Sequence, residues 1–306
     1  MGLCDEVREH CARVAARAQS VRIDLDALRG LEPPGAPEPS GGCSGGPLAN
    51  SPPALDPQRH YLEGTPADVA TYLLTLDAIN FGSGWFPTLR KRRDCSGYFT
   101  IAWALADRFR AEGPWANAQL RAMRADALAD VLGQRSDHEL IGLYAQALRA
   151  LGSFLGERDA LDLVHQAGGS AQRLAEVLAG GMAMFADHGF YKRAQIVPAD
   201  LALAGVATFA DLDALTIFAD NLVPHVLRCD GVLVYDDRLA AHIDALRPLR
   251  PGAQEQEIRA CAVHACELLA QRAGVAPRIL DHWLWNRGQS PEIKSRPRHR
   301  CRCVYY

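Results

Sequence analysis

Apolar positions along the chain recur mostly at three- and four-residue intervals, the period of a helix with one buried face. Val7, Cys11, Val14 and Ala15 set this spacing in residues 1–30, which read as one amphipathic helix or two. The period returns after Thr65-Pro66-Ala67-Asp68, a cap residue followed by proline at the first helical position. Val69, Tyr72, Leu73, Leu76 and Ile79 then form a regular stripe. Beyond Gly82-Ser83-Gly84 it predicts helices over 97–111, 116–132, 137–155, 158–167, 171–187, 208–227 and 254–273. Period-two alternation is scarce; Val232-Leu233-Val234-Tyr235, after Asp230-Gly231, is the best short strand. The predicted fold class is all-α, with room for one small hairpin.

Residues 31–57 break this regularity with Pro-Pro-Gly, Pro-Glu-Pro, Gly-Gly and Ser-Pro-Pro, and read as a flexible loop. The predicted organisation is therefore an N-terminal helical segment over 1–30, that loop over 31–57, and a single helical domain over 58–306. Composition narrows the class further. With 306 residues, 48% hydrophobic and 23% charged, the chain can bury a sizeable core and is neither disordered nor fibrous. A formal net charge of −3 argues against a protein that tracks long stretches of nucleic-acid backbone. No stretch approaches the roughly 20 apolar residues of a membrane span, and the acidic start lacks the pattern of a secretory signal. Nine cysteines, with no Cys-x-x-Cys pair, fit reduced thiols in a cytoplasm better than disulfides or a structural metal.

Four stretches are richer in chemistry than packing requires. Phe81 and Trp85 flank the Gly82-Ser83-Gly84 break, where flat faces serve either a core or a planar ligand. Phe190-Tyr191-Lys192-Arg193 follows a glycine at a predicted helix start, which suits an anion or a solvated basic corner. Lysine occurs elsewhere only at Lys91 and Lys294, so Lys192 stands out in an arginine-rich chain. Asp220 falls inside a strongly apolar segment, four residues before Pro224, whose ring removes the amide that would bond to it. A carboxylate there either caps freed amides or does chemical work. Lastly, Asp281 and Trp285, and likewise His282 and Asn286, share helix faces four residues apart. The basic-aromatic run Arg296–Tyr306 reads either as a tail on RNA or as a packed strand. Signatures for nucleotide phosphate loops, dinucleotide folds, serine hydrolases and zinc peptidases are absent. A hydrolase that needs only carboxylates and water survives.

Taken in order, Leu76-Asp77-Ala78-Ile79-Asn80-Phe81, Phe190-Tyr191-Lys192-Arg193-Ala194-Gln195, Phe218-Ala219-Asp220 and Glu257-Ile258-Arg259-Ala260-Cys261 resemble segments of the queuosine salvage protein family. Leu280-Asp281-His282-Trp283-Leu284-Trp285 and His299-Arg300-Cys301-Arg302-Cys303-Val304-Tyr305-Tyr306 extend the match, which runs from about residue 60 to Tyr306. The 31–57 segment, His282 and Asn286 depart from the family pattern, the last two where relatives tend to carry tyrosine and aspartate.

The resemblance implies a helical catalytic domain similar to helix-hairpin-helix DNA glycosylases. It implies hydrolysis of queuosine 5′-monophosphate to queuine and ribose 5-phosphate, without cofactor or metal. Glycosidic cleavage builds positive charge on the ribose, and a desolvated carboxylate stabilises it. Asp220 is the expected catalytic carboxylate. Lys192 is expected beside it for the ribose or the 5′-phosphate, with Tyr191 and Arg193 adjoining. Asp281 would accept hydrogen bonds from a guanine-like edge, with Phe81 and Trp285 sandwiching the base. His60, Phe218, His282 and Asn286 complete the expected binding residues. The expected partner is a small nucleotide, with no membrane and no stable nucleic-acid partner. Competing readings are a base-excision glycosylase of DNA or RNA, weakened by Gly205 being the only glycine between Lys192 and Asp220, and a non-catalytic queuine or nucleotide binder. A helical scaffold on tRNA is the remaining alternative.

Overall fold

The computed structural model describes residues 2–33 and 54–306; most of the loop expected over 31–57 lies outside the described residues. In chain order the elements are α1 (Leu3–Ala15), β1 (Val21–Ile23), α2 (Leu25–Arg29), α3 (Pro66–Ala78), α4 (Gly97–Glu112), α5 (Asn117–Arg121) and α6 (Ala125–Leu132). They continue as α7 (Glu139–Leu155), α8 (Ala160–Gln166), α9 (Ala171–Gly181), α10 (Lys192–Leu203) and α11 (Val223–Cys229). Then come β2 (Leu233–Tyr235), α12 (Asp237–Asp244), α13 (Ala253–Ala273), α14 (Pro277–Arg287) and α15 (Pro291–Lys294). The fold is mainly helical, as the periodicity predicts.

Local chemistry explains many of the boundaries. At α3 the Thr65 hydroxyl accepts from the Asp68 amide at 3.2 Å while the Asp68 carboxylate accepts from the Thr65 amide at 3.1 Å. Ser96, Asp159, Ser170 and Asp236 cap α4, α8, α9 and α12 in the same one-sided or reciprocal way. Gly274, at φ 66°, ends α13 in the left-handed conformation that a side chain would resist.

The chain forms two compact units. The first comprises the described residues of Met1–Pro53 with His188–Lys192 and Asp213–Arg302. Its centre is α13, which packs against α1, α11, α14 and both strands. Ile258, Ala260, Cys261, Val263, Ala265, Cys266 and Leu269 are all buried along it, so α13 is covered around most of its girth rather than on one stripe. The strands pair antiparallel, Val21 with Tyr235 and Ile23 with Leu233. The predicted strand thus finds its partner far upstream rather than in a neighbouring hairpin arm.

The second unit comprises Ala54–Asp187, Arg193–Leu212 and Cys303–Tyr306. Here α5 and α6 pack on α7, and α3 meets α4, α7 and α8. Tyr72, Phe109 and Trp115 interlock edge-to-face, with centroids 5.3 and 5.8 Å apart.

Three predicted helices are corrected; the one over 171–187 ends at Gly181 and gives way to a 3-10 turn over Ala183–Phe185. The 116–132 helix is broken into α5 and α6: Met123 turns inward and its carbonyl accepts from Arg149 at 2.7 Å instead of a helical amide. The 208–227 helix is mostly not helical. A single 3-10 turn over Leu212–Ala214 is followed by non-helical chain to Ala219, and helix resumes only at Val223.

Candidate functional site

The non-helical strap over 215–222 carries Phe218, Ala219 and Asp220 in the first unit. Asp220 therefore lies ahead of a helix rather than within one. Its Oδ1 accepts from the amides of Leu222 at 2.6 Å and Val223 at 3.1 Å. Asx bonding of this kind competes with helix, and Pro224 in the first turn of α11 fits a helix start. The cap-like role open to Asp220 is thus occupied by one carboxylate oxygen. The side chain is half-buried, and among the described residues no other donor hydrogen-bonds to it.

Neighbouring side chains hold the strap on both sides of this aspartate. The buried Asp281 of α14 accepts from the Phe218 amide at 2.8 Å through Oδ1. Arg259 of α13, buried, donates from Nε to the Ala219 carbonyl at 3.0 Å. Its guanidinium lies 3.9 Å over the Phe190 ring and 3.6 Å from Glu255, itself buried. Asn221 donates to the His299 carbonyl at 3.2 Å, which pins the C-terminal run beside the strap. His299 is buried and pushed down to about 3 by desolvation, with nearby cationic groups adding to it, so it is neutral near pH 7. Leu249 donates to the Arg300 carbonyl and bridges Cys301. The run to Cys301 is packed rather than free.

A second feature of the same unit is the turn 188–192. Gly189 has φ 83°, and a Cβ there would sit 2.5 Å from the His10 ring. Tyr191 also takes a positive φ, 48°, which is uncommon for a bulky residue. Its hydroxyl donates to Glu6 of α1 at 2.8 Å and meets His188 Nδ1 at 3.1 Å. Lys192 follows as the first residue of α10 and is only 5% exposed. On α14, Asn286 Nδ2 lies 2.8 Å from His282 Nε2, the pairing that their spacing predicts. With the amide donating, the imidazole is neutral with its proton on Nδ1; burial lowers its pKa. Trp285 is half-buried on the same helix.

Three expected site residues belong to the second unit. Arg193 is 1% exposed, and its guanidinium donates to the carbonyls of Ala78 at 2.6 Å, Val304 at 2.7 Å, Asp77 and Met184. Phe81 is equally buried, with Arg193 4.7 Å over its ring and Tyr144 edge-on at 5.0 Å. His60 is buried between the Asp56 carbonyl at 2.9 Å and the Tyr98 hydroxyl at 3.0 Å. These arrangements are those of a packed interior.

Arg259 is the residue that helical periodicity passed over. Its signals were an arginine within an apolar stretch, a glutamate four residues earlier, and a segment already matched to the family. Among the described residues no three His, Cys, Asp or Glu side chains are placed to hold a metal, and no helix is long and apolar enough to cross a membrane.

Comparison with known proteins adds the following. Residues 60–306 match the family model described as queuosine salvage protein. The chain is 31% identical to the queuosine 5′-phosphate N-glycosylase/hydrolase of Sphaerobacter thermophilus, over 96% of this chain and 95% of that one. It is 29% identical to the Bos taurus protein of the same name, over 79% and 83% of the two chains. The Nematostella vectensis protein, again so named, is 28% identical over 82% and 85%.

Proposed function

Because the chain belongs to the queuosine salvage protein family, we propose that it hydrolyses the N-glycosidic bond of queuosine 5′-monophosphate, releasing queuine and ribose 5-phosphate. The observation that carries this reading is the strap itself. Two carboxylates meet there, Asp220 at one end and Asp281 at the Phe218 amide, and both are held by buried partners.

Asp220 stabilises the positive charge that develops at the anomeric carbon. Its Oδ1 is fixed by two amides, so the carboxylate is oriented before the substrate arrives and needs little reorganisation during the reaction. Asp281 receives the guanine-like edge of the leaving base, which lacks the ring nitrogen that acid catalysis would protonate. Its Oδ1 also accepts the Phe218 amide, and a carboxylate has about four acceptor sites in all. Trp285 provides the stacking face, and Phe218, His282 and Asn286 border the base. Lys192 supplies positive charge to the sugar half. Tyr191, tied to Glu6 and His188, sets the turn that presents it. Phe81, Arg193 and His60 are assigned to the frame of their own unit, given their burial. Apart from Glu6, these residues fall within 58–306, the stretch proposed as the catalytic domain. The enzyme is taken to work in the cytoplasm on a free nucleotide, without cofactor, metal or stable nucleic-acid partner.

The test is queuine release from queuosine 5′-monophosphate, followed by mass spectrometry, for wild type and Asp220→Asn. Asparagine keeps an acceptor for both amides, so the variant is expected to fold, to bind queuine, and to lose turnover by about a hundredfold or more. Equal inactivity of wild type and variant, with queuine bound by both, would instead identify a carrier.

A further inference from the structure

The segment that Asn221 pins beside the strap carries two arginines whose charge nothing in the fold consumes. Residues 297–300 have no regular secondary structure, and their burial differs: His299 is buried, while Arg298 and Arg300 are half-buried. Two successive carbonyls of the segment are fixed. The Asn221 amide holds the His299 carbonyl at 3.2 Å, and Leu249 holds the Arg300 carbonyl at 2.8 Å.

Among the described residues neither guanidinium makes a hydrogen bond or an ion pair. This is unusual in a chain where Arg8, Arg193, Arg228, Arg259 and Arg287 all find carbonyls or carboxylates. Burial and the charge of Arg300 push the Arg298 pKa down, and only Asp220 acts through space to raise it. Burial likewise lowers Arg300. Both stay protonated near neutral pH. Two like charges, half out of water and with only the through-space field of Asp220 opposing them, are costly unless an anion joins them.

We propose that Arg298 and Arg300 form the binding site for the 5′-phosphate of the nucleotide, a phosphate monoester. The inference rests on the hydrolase reading for its substrate. It assigns the phosphate to residues that the sequence left to Lys192 and Arg193, and Arg193 is committed to four main-chain carbonyls. Two guanidinium groups match a phosphate monoester well, since each presents paired N–H donors to two oxygens. The fixed segment also ties the phosphate to Asp220 by a short route: Arg298 adjoins His299, whose carbonyl is held by Asn221, the residue after Asp220. A phosphate seated on the pair therefore places the ribose in register with the strap.

The test is isothermal titration of ribose 5-phosphate, and separately of queuine, into wild type, Arg298→Gln, Arg300→Gln and the double variant. Unfolding temperatures are measured alongside. The expected result is a tenfold or greater loss of ribose 5-phosphate affinity in each single variant and a larger loss in the double, with queuine affinity and unfolding temperature unchanged. Arg298→Lys is expected to recover part of the loss. Unchanged ribose 5-phosphate affinity, no binding by wild type, or an equal loss for queuine would each overturn the site. The two readings also separate. Wild type that binds ribose 5-phosphate through the pair but leaves queuosine 5′-monophosphate intact would sink the hydrolase and keep the phosphate site. Cleavage by wild type and the double variant with equal KM would do the reverse.

Discussion

At the scale of single residues, Gly189 shows how a turn can depend on one missing atom. Its positive φ and the His10 ring, 2.5 Å from where a Cβ would stand, are two separate reasons for glycine. Gly189→Ala is expected to destabilise the protein by about 1–3 kcal/mol. It is also expected to depress turnover more than queuine binding, because the turn precedes Lys192. Urea denaturation and steady-state kinetics would check the two parts; a variant as stable as wild type would show that the turn relaxes freely. The glycine was visible in the sequence only as an ordinary stop signal. Nothing in the local pattern announced His10, because α1 reaches the turn from the other end of the chain.

Among elements, the strap is where sequence reading and structure diverge most. Leu215-Thr216-Ile217-Phe218 has the apolar density of a buried helix, and helical periodicity tolerates such a run. The deciding terms are local and tertiary. Asp220 and Asn221 ahead of Pro224 form a helix start, a signal present in the sequence but outweighed by the apolar run around it. Asp281 and Arg259 then satisfy the strap's amide and carbonyl, so it needs no helical partners. By contrast α3, α4, α7 and α13 were legible because the apolar spacing ran unbroken, with Thr65 and Ser96 as caps for the first two. The contact of His282 with Asn286 on α14 was legible from their spacing; the burial of Arg193 among main-chain carbonyls was not, because it leaves no trace in spacing. Arg259→Met is expected to cost about 3–5 kcal/mol, since it leaves Glu255 buried beside an apolar side chain and the Ala219 carbonyl without its donor. A urea midpoint close to that of wild type would mean that water replaces the guanidinium.

Across the whole molecule, acid sensitivity follows from the buried histidines. His60, His225, His282 and His299 are all held below the ordinary imidazole range, mainly by burial, and His299 is lowered to about 3. The unfolded chain protonates each near 6.5, so below that pH it binds protons that the folded chain refuses. Stability is therefore full above about pH 6.5 and falls as the pH drops. For His299 the loss continues toward pH 3, at about 1.4 kcal/mol per pH unit once well below 6.5. Urea midpoints measured from pH 7.5 to 5.0 are expected to decline steadily, and a flat series would contradict the burial of these rings.

The bond from the Phe218 amide to Asp281 carries a consequence for how such an enzyme can change. One carboxylate both grips the chain that bears Asp220 and faces the leaving base in the proposed reaction. In that reaction, selection for a different base would act first on Asp281, and any replacement that lost the acceptor would also loosen the strap that bears Asp220. Recognition and reactivity are thereby inherited together. A lineage drifting toward a new substrate would have to acquire another anchor for Phe218 before it could vary this position.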